Sequence, residues 1–472
     1  MDLSRSSFKL FLSRGGNALL MFGGITFFAN SLDAGQLGIY FLFQTVLGLL
    51  SIPADVGISG ALEKRLSEGG QTQDRTLGSA VAFKATATTV VAAGILLGRG
   101  SVNDFIGANV AGLLVVGLAT HEFSKLYLHA VRGELRVGET APIEFANRLV
   151  WLGLGALLVT RGYGPRGIVV GLIAGSAVGL LWAYSRCGVP IGRPTMDAVK
   201  DLLAFSKYQT VTSVGGRVYS WMDVAFVGYF LASSYVSAYE IAWQVTLLVI
   251  LVSKSIGVTL FPQISQWNEA AATERIGSSI STAMGVTLFI SIPALVGATI
   301  FASDILRFIF GPEYVVAAAV LVVLMVEKVF QSVNDVVEGA VRAINRPDLA
   351  ARATVVAVSL NLVLSPLLLV TVGFVGAAIA TTTSWFVNTV LHARYLSRYV
   401  SFSIPYRLAG WYAASSLLMG GALLAVKWAV PVTGVAILVA EIAVGVAVYV
   451  AVTVAIPDVR DQVILPGIRT LI

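Results

Sequence analysis

The chain has 472 residues, of which 56% are apolar and only 12% are charged, and its mean hydropathy is +0.82. Soluble domains carry about 25% charged residues, so the composition excludes an ordinary soluble protein. Apolar runs of about 20 residues, the length of a transmembrane helix, recur along the chain and predict an all-α polytopic membrane protein. The net charge of +6 then reflects loop topology rather than an acidic partner such as nucleic acid. The single Cys187 excludes a disulfide framework.

Hydropathy predicts about fourteen transmembrane helices joined by short connections. They fall at roughly 15–31, 38–59, 79–98, 106–128, 142–160, 167–185, 208–231, 235–262, 283–302, 314–341, 353–371, 374–393, 408–427 and 432–456. Lys and Arg concentrate in the loops on the side of the two termini. The positive-inside rule therefore predicts a multi-pass protein of the cell membrane with both termini in the cytoplasm. No connection is long enough for a soluble catalytic domain.

The sequence also indicates an internal duplication. The segment AVRGELR at 130–136 is echoed by AVRAINR at 340–346, and the turn beginning at Gly164 is echoed by the turn beginning at Gly373. Because both copies begin on the same side of the membrane, we expect a parallel repeat. The predicted domains are a six-helix bundle at 1–190, a second six-helix bundle at 191–400, and two additional transmembrane helices with a cytoplasmic tail at 401–472. The proline-containing loop 186–207 is the predicted linker.

A polar stripe follows the lipid-length segment 310–346. Its members are Glu327, Gln331, Asp335, Glu338 and Arg342. Their spacings of three and four residues place them on one face of a helix. Ionisable side chains are costly near the bilayer centre, so this face is predicted to line a protein interior or a wet cavity. In the earlier copy, His121 and Lys125 take the positions of Gln331 and Asp335, so that stripe is basic.

Four sequence blocks carry a family resemblance. They are LDAGQLGIY at 32–40, ADVGI at 54–58, LFPQIS at 260–265 and IFGPEY at 309–314. In order and spacing the chain resembles prokaryotic polysaccharide-biosynthesis transporters, the Wzx-like oligosaccharide flippases of the multidrug/oligosaccharidyl-lipid/polysaccharide exporter superfamily. One departure is the first span, which has few cationic residues beyond Arg14.

The resemblance implies a MATE-like fold, with two six-helix bundles around a central cavity. It also implies alternating access that moves a polyprenyl- or dolichyl-linked glycan from the cytoplasmic leaflet to the outer one. The implied partners are the lipid-linked glycan, membrane lipid and glycan-assembly enzymes, and a monomer is favoured. No cofactor or metal is expected, and H⁺ or Na⁺ coupling stays open.

A lipid pyrophosphate-sugar needs cations for its phosphates and amides for its hydroxyls. The predicted head-group residues are Lys125, Arg148, Arg217, Lys254, Lys328, Gln244, Gln331 and Asn334. The predicted coupling or charge-balancing acids are Asp223, Glu240, Glu327 and Asp335. The alternative is that these cations snorkel to the membrane interface and these acids form static ion pairs. Asp55 and Glu122 are expected to be ordinary solvated helix ends, and Lys84 to snorkel.

Two other functions compete with flipping. A MATE-type cation-coupled multidrug exporter shares the implied fold, but it would favour an acidic cavity. A membrane glycosyltransferase or glycan ligase would need a long extracytoplasmic loop, and none is predicted. The chain also lacks a GxxxxGK[ST] motif, which argues against ATP-driven transport. The prediction is therefore a transporter and not an enzyme.

Overall fold

The structure is a computed structural model that describes residues 16, 19–70 and 72–461, without the side chains of 207–218, 220, 251, 252, 255 and 257–259. In this part of the chain, helices joined by short turns make up the regular structure. The chain divides into two compact units, residues 1–237 and residues 238–472.

Nine helices lie wholly within the first unit in the part of the chain that the structure describes. Their bounds are α1 Leu19–Ser31, α2 Ala34–Asp55, α3 Ile58–Ser67, α4 Gln73–Leu97, α5 Arg99–Ile106, α6 Ala111–Gly133, α7 Thr140–Thr160, α8 Pro165–Arg186 and α9 Met196–Phe230. Helix α6 packs against α3, α4 and α8, and α7 packs along α8. Helices α5 and α6 meet at a bend of 91°.

The next helix, α10, begins in the first unit and continues into the second. Its bounds and those of the helices after it are α10 Ser233–Glu269, α11 Thr273–Ile305, α12 Ala318–Ala343, α13 Pro347–Thr371, α14 Phe374–Leu396, α15 Tyr406–Ala429, α16 Val435–Ala455 and α17 Pro457–Val459. Helix α12 packs against α11 and α14, and α13 packs along α14. The last two long helices, α15 and α16, pack against α11.

Helices α6 and α12 end in the same way. After α6, Leu135 adopts a left-handed conformation with φ of 60°, and after α12, Asn345 does so with φ of 61°. One residue later, the N–H of Arg136 donates to the carbonyl of Val131, and the N–H of Arg346 donates to the carbonyl of Val341. This is a Schellman-type cap, which satisfies carbonyls at a helix end. The matching segments AVRGELR and AVRAINR therefore share a backbone conformation as well as a sequence.

An extended segment, residues 187–195, is fastened to the first unit, and we call it the strap. The N–H of Gly192 donates to the carbonyl of Asp74 at 2.9 Å, and the N–H of Thr195 donates to Oγ of Ser79 at 2.9 Å. A Cβ on Gly78 would lie 2.0 Å from the carbonyl oxygen of Gly192, so the strap crosses α4 at a point where only glycine fits. The predicted linker is thus not a loose connection over these residues.

The second unit contains a similar crossing. A Cβ on Gly277 of α11 would lie 2.0 Å from the carbonyl oxygen of Ser401, and the N–H of Ser403 donates to Oγ of Ser281 at 3.1 Å. In the first unit, the segment after α8 thus crosses a glycine of α4. In the second unit, the segment after α14 crosses a glycine of α11.

The all-helical polytopic class is confirmed. In the described residues, 10 helices are long and apolar enough to cross a membrane, or up to 11 if the bent pair α5 and α6 is one span. The fourteen predicted spans therefore stay a prediction. Helices α9 and α10, with 35 and 37 residues, are each roughly 50 Å long at 1.5 Å per residue, which exceeds the bilayer core.

Candidate functional site

Among the described side chains, four charges, three of them buried, form a network inside the first unit. Nζ of Lys84 lies 2.5 Å from Oδ1 of Asp55 and also pairs with Oε2 of Glu122. The second carboxylate oxygen of Asp55 lies 2.5 Å from Nζ of Lys125. Oγ of Ser51 donates to Oε1 of Glu122. Two carboxylates and two ammonium groups balance, which is the condition under which buried charges are tolerated.

The backbone places Asp55 where the network needs a carboxylate. Helix α2 ends at Asp55, Val56 and Gly57 have positive φ angles of 44° and 76°, and α3 begins at Ile58. The Asp55 carboxylate accepts from the N–H of Ser59 at 3.3 Å and from its Oγ at 2.6 Å. It therefore lies at the N-terminus of α3, where the helix dipole favours a negative charge.

The four charges differ in their access to solvent. The side chains of Lys84, Asp55 and Glu122 are 0%, 1% and 0% exposed, whereas Lys125 is 18% exposed. The expectation that Asp55 and Glu122 are solvated helix ends, and that Lys84 snorkels, is therefore wrong. The reason is that α2, α4 and α6 pack together, so the charges neutralise one another inside the bundle.

Lys125 also lines a cavity of about 240 Å³ within the first unit. The lining residues are Gln44, Leu47, Gly48, Ser51, His121, Lys125, Leu172 and Trp221. A Cβ on Gly48 would lie 2.5 Å from the Trp221 ring, so the indole lies directly against the backbone of α2. The wall thus offers an ammonium group, an amide, a hydroxyl, an imidazole and an aromatic ring. Such a set can bind an anionic, hydroxyl-rich ligand.

In the second unit, α12 carries its own buried polar groups. Nζ of Lys328 lies 2.7 Å from Oε2 of Glu327, donates to Oε1 of Gln331 at 2.9 Å and lies 3.5 Å from the centroid of the Trp243 ring. Lys328 and Glu327 are both 0% exposed. The structure therefore brings together three of the predicted residues in a closed contact, with an ion pair and a cation–π interaction.

The next turns of α12 continue the stripe. Oγ of Ser253 donates to Oδ2 of Asp335 at 3.0 Å, and Nδ2 of Asn334 donates to Oε2 of Glu338 at 3.1 Å. Asn334 is completely buried, and its Oδ1 has no hydrogen-bond partner among the described residues.

The remaining predicted residues are dispersed over α7, α9 and α10. Arg148 is half-buried on α7, Asp223 is buried on α9, Glu240 and Gln244 are half-buried on α10, and Lys254 is exposed on α10. The side chain of Arg217 lies outside the described residues.

Sequence reasoning missed the network to which Lys125 belongs. Asp55, Lys84 and Glu122 come from three different helices, so no spacing in the sequence links them. The sequence nevertheless contains a signal for the network. Three ionisable residues within predicted spans or at their ends are energetically costly in the membrane unless they form ion pairs with one another. Over the described residues, no group of three or more His, Cys, Asp or Glu side chains could hold a metal ion.

The long apolar helices define a polytopic α-helical membrane protein. The family model described as "Polysaccharide biosynthesis protein" matches residues 31–319, and the chain belongs to this family. The resemblance inferred from the four sequence blocks is thereby confirmed.

Two relatives from Haloferax volcanii cover most of the chain. The "Probable low-salt glycan biosynthesis flippase Agl15" is 41% identical over 461 residues, 98% of each chain. The "Probable flippase AglR" is 29% identical over 410 residues, 84% of this chain and 85% of the relative. Both relatives are described as probable flippases.

Solved structures share the fold. The "Lipid II flippase MurJ, inward closed conformation" aligns with a TM-score of 0.81 at 16% identity, over 95% of this chain and 98% of that one. An inward-facing multidrug resistance MATE family transporter of the MOP superfamily aligns with a TM-score of 0.63 at 13% identity, over 81% and 95% of the two chains. The predicted MATE-like fold is confirmed, whereas the division into two six-helix bundles stays a prediction.

Proposed function

We propose that the protein is a flippase that moves a lipid-linked oligosaccharide from the cytoplasmic to the outer leaflet for cell-surface glycan assembly. The full-length similarity to a glycan biosynthesis flippase supports this proposal. The observation that carries it is the position of Lys125, whose ammonium group lies on the wall of a cavity within the first unit.

Each kind of group on this wall suits one part of such a substrate. The Lys125 ammonium group would bind a phosphate oxygen of a polyprenyl or dolichyl phosphate or pyrophosphate. Gln44 would exchange hydrogen bonds with sugar hydroxyls, and Trp221 would pack on an apolar sugar face. Ser51 would accept from a sugar hydroxyl, because its own O–H donates to Glu122. The isoprenoid tail would stay in lipid, so the protein needs to enclose only the head group.

The remaining predicted residues enter the proposal as secondary contributors. Arg148, Arg217 and Lys254 would attract the anionic head. Lys328 has its charge balanced by Glu327 and would bind only after that pair opens. Asp223, Glu240 and Asp335 would balance charge or bind a coupling H⁺ or Na⁺.

The proposed architecture is a parallel duplication of six helices with two further helices at the C-terminal side, fourteen spans in all. The identical caps of α6 and α12 and the similar glycine crossings at Gly78 and Gly277 support it. The proposed repeat boundaries are 1–190, 191–400 and 401–472. Alternating access by the two bundles, with both termini in the cytoplasm, completes the proposal.

Replacement of Lys125 tests the site. Lys125→Ala removes the cation from the cavity wall, whereas Lys125→Arg keeps the charge. A charge-assisted hydrogen bond contributes about 1.5–3 kcal/mol, so head-group binding should weaken on the order of tenfold to a hundredfold. The matched control is Lys64→Ala, because Lys64 is 51% exposed and pairs with Glu68 on the protein surface.

The measurement uses a host from which the chain's gene has been deleted. Wild-type chain and Lys64→Ala should restore surface glycan, and Lys125→Ala should leave a lipid-linked intermediate on the cytoplasmic face. Full restoration by Lys125→Ala at equal membrane abundance contradicts the site. Unchanged surface glycan after deletion, together with altered drug susceptibility, would instead favour the MATE-type exporter.

A further inference from the structure

The salt bridge between Asp55 and Lys125 joins the dry interior of the first unit to the cavity wall. Asp55 has two carboxylate oxygens with different surroundings. Oδ1 accepts from Lys84 and Ser59 in the interior, whereas Oδ2 faces Lys125 at 2.5 Å. Three members of the network are thus fixed by several buried contacts, and Lys125 is the member with access to the cavity.

A phosphate in the cavity and the Asp55 carboxylate are both anions that would pair with the same ammonium group. When Lys125 turns toward a phosphate, Asp55 keeps Lys84 and Ser59 as partners. Lys84 is then the ammonium group that Asp55 shares with Glu122, so these three interior side chains carry one net negative charge while the phosphate is bound. That charge penalises the bound state, and it favours the return of Lys125 to Asp55 when the phosphate leaves.

We propose that Asp55 is a positioning residue that competes with the substrate phosphate for Lys125 and so sets how readily the head group is released. This inference rests on the proposed function, and it adds a role for a residue that does not itself line the cavity. A transporter must bind its cargo in one orientation and release it in another. A competing carboxylate keeps the affinity low enough for release.

Glu122 supplies a matched control within the same network. It carries the same charge, is equally buried, and also pairs with Lys84, but it directs its salt bridge to Lys84 rather than to Lys125. Asp55→Asn and Glu122→Gln therefore each remove one buried negative charge next to Lys84 and leave Lys84 one carboxylate. Of these two variants, Asp55→Asn removes the carboxylate that competes with the phosphate for Lys125, and Glu122→Gln does not.

The experiment measures binding of farnesyl pyrophosphate to the purified full chain in detergent, and translocation of a fluorescent prenyl-pyrophosphate-linked sugar in proteoliposomes. Asp55→Asn should lower the Kd for farnesyl pyrophosphate about fivefold, the effect of one partly exposed ion pair, and should slow turnover. Glu122→Gln leaves the contact between Asp55 and Lys125 in place, so it should lower the Kd less than Asp55→Asn does.

The outcomes separate the two proposals. If Lys125→Ala weakens binding but Asp55→Asn and Glu122→Gln behave alike, the competition by Asp55 is wrong and the cavity assignment stands. If Lys125→Ala binds farnesyl pyrophosphate as the wild type does, the cavity assignment itself is wrong. Weaker binding by Asp55→Asn would show that Asp55 supports the bound state, which also overturns the competition. Should Asp55→Asn fail to fold, Asp55→Glu, which lengthens the carboxylate arm but keeps its charge, should alter Kd without removing the network.

Discussion

The crossing of the strap over Gly78 gives the sharpest structural prediction. In Gly78→Ala the new Cβ would lie 2.0 Å from the carbonyl oxygen of Gly192, so the strap must move by roughly 1 Å to reach an allowed contact. That shift breaks the hydrogen bonds of Gly192 to Asp74 and of Thr195 to Ser79. Each contributes about 1 kcal/mol, so the strap should lose about 2 kcal/mol of its attachment.

Gly94 provides the control, because it lies on the same helix and a Cβ there meets nothing within 4 Å. Gly94→Ala adds the same methyl group in open space and should be neutral, or stabilising by up to about 1 kcal/mol through helix propensity. Gly78→Ala should therefore weaken the attachment of the strap and Gly94→Ala should not, although both substitutions add the same methyl group to the same helix.

Cys187, the single cysteine of the chain, reports on the strap directly. Burial raises the pKa of its thiol to about 11, and Sγ lies 3.5 Å from Oε1 of Glu134. The thiol should therefore react slowly with maleimide near neutral pH while the strap is attached. A loss of about 2 kcal/mol in Gly78→Ala should accelerate the labelling roughly 30-fold, and Gly94→Ala should not. Equal labelling rates in all three proteins would refute the argument that the strap is held at Gly78.

Two further pairs of variants test the buried network and the repeated cap. Lys84→Met leaves the fully buried Glu122 without its ammonium partner and should cost about 3–5 kcal/mol of folding stability. The double variant Lys84→Met/Glu122→Gln should recover much of this loss. Thermal unfolding in detergent measures both variants, and no recovery in the double variant would contradict a Lys84–Glu122 pair. Leu135→Asn should stabilise the protein by about 1 kcal/mol, because asparagine tolerates the left-handed conformation better than leucine does. Asn345→Leu should destabilise it by a similar amount. The midpoint of thermal unfolding measures both effects, and a shift of the wrong sign in either variant contradicts the shared cap geometry.

The class and the fold family were accessible from the sequence because they depend on composition and local pattern. Long apolar runs predict membrane helices whatever their packing, and the blocks at 32–40 and 309–314 carry the family signature. The matching segments AVRGELR and AVRAINR indicate that α6 and α12 end alike, since the conformation of a helix end is set by a few neighbouring residues. The number of spans is less accessible, because α9 and α10 are longer than a bilayer requires.

The charged network was not accessible, because it is a tertiary feature. Asp55 and Glu122 lie near predicted span ends, where solvation is the usual outcome, and only the packing of α2, α4 and α6 reveals that they are buried. The stripe on α12 shows the converse. Periodicity placed Glu327 and Gln331 on one face, but it could not reveal that Lys328 closes over both of them.

The charges of Asp55, Lys84, Glu122 and Lys125, the described members of the network, sum to zero, and this has an electrical consequence. An elementary charge that crosses the membrane field exchanges about 2.3 kcal/mol per 100 mV, but two lysines and two carboxylates that move together exchange none. The voltage across the membrane would therefore act on the anionic cargo and on any co-transported ion, and not on this part of the wall. Recordings of transport at different imposed potentials would then count the charges on the cargo itself.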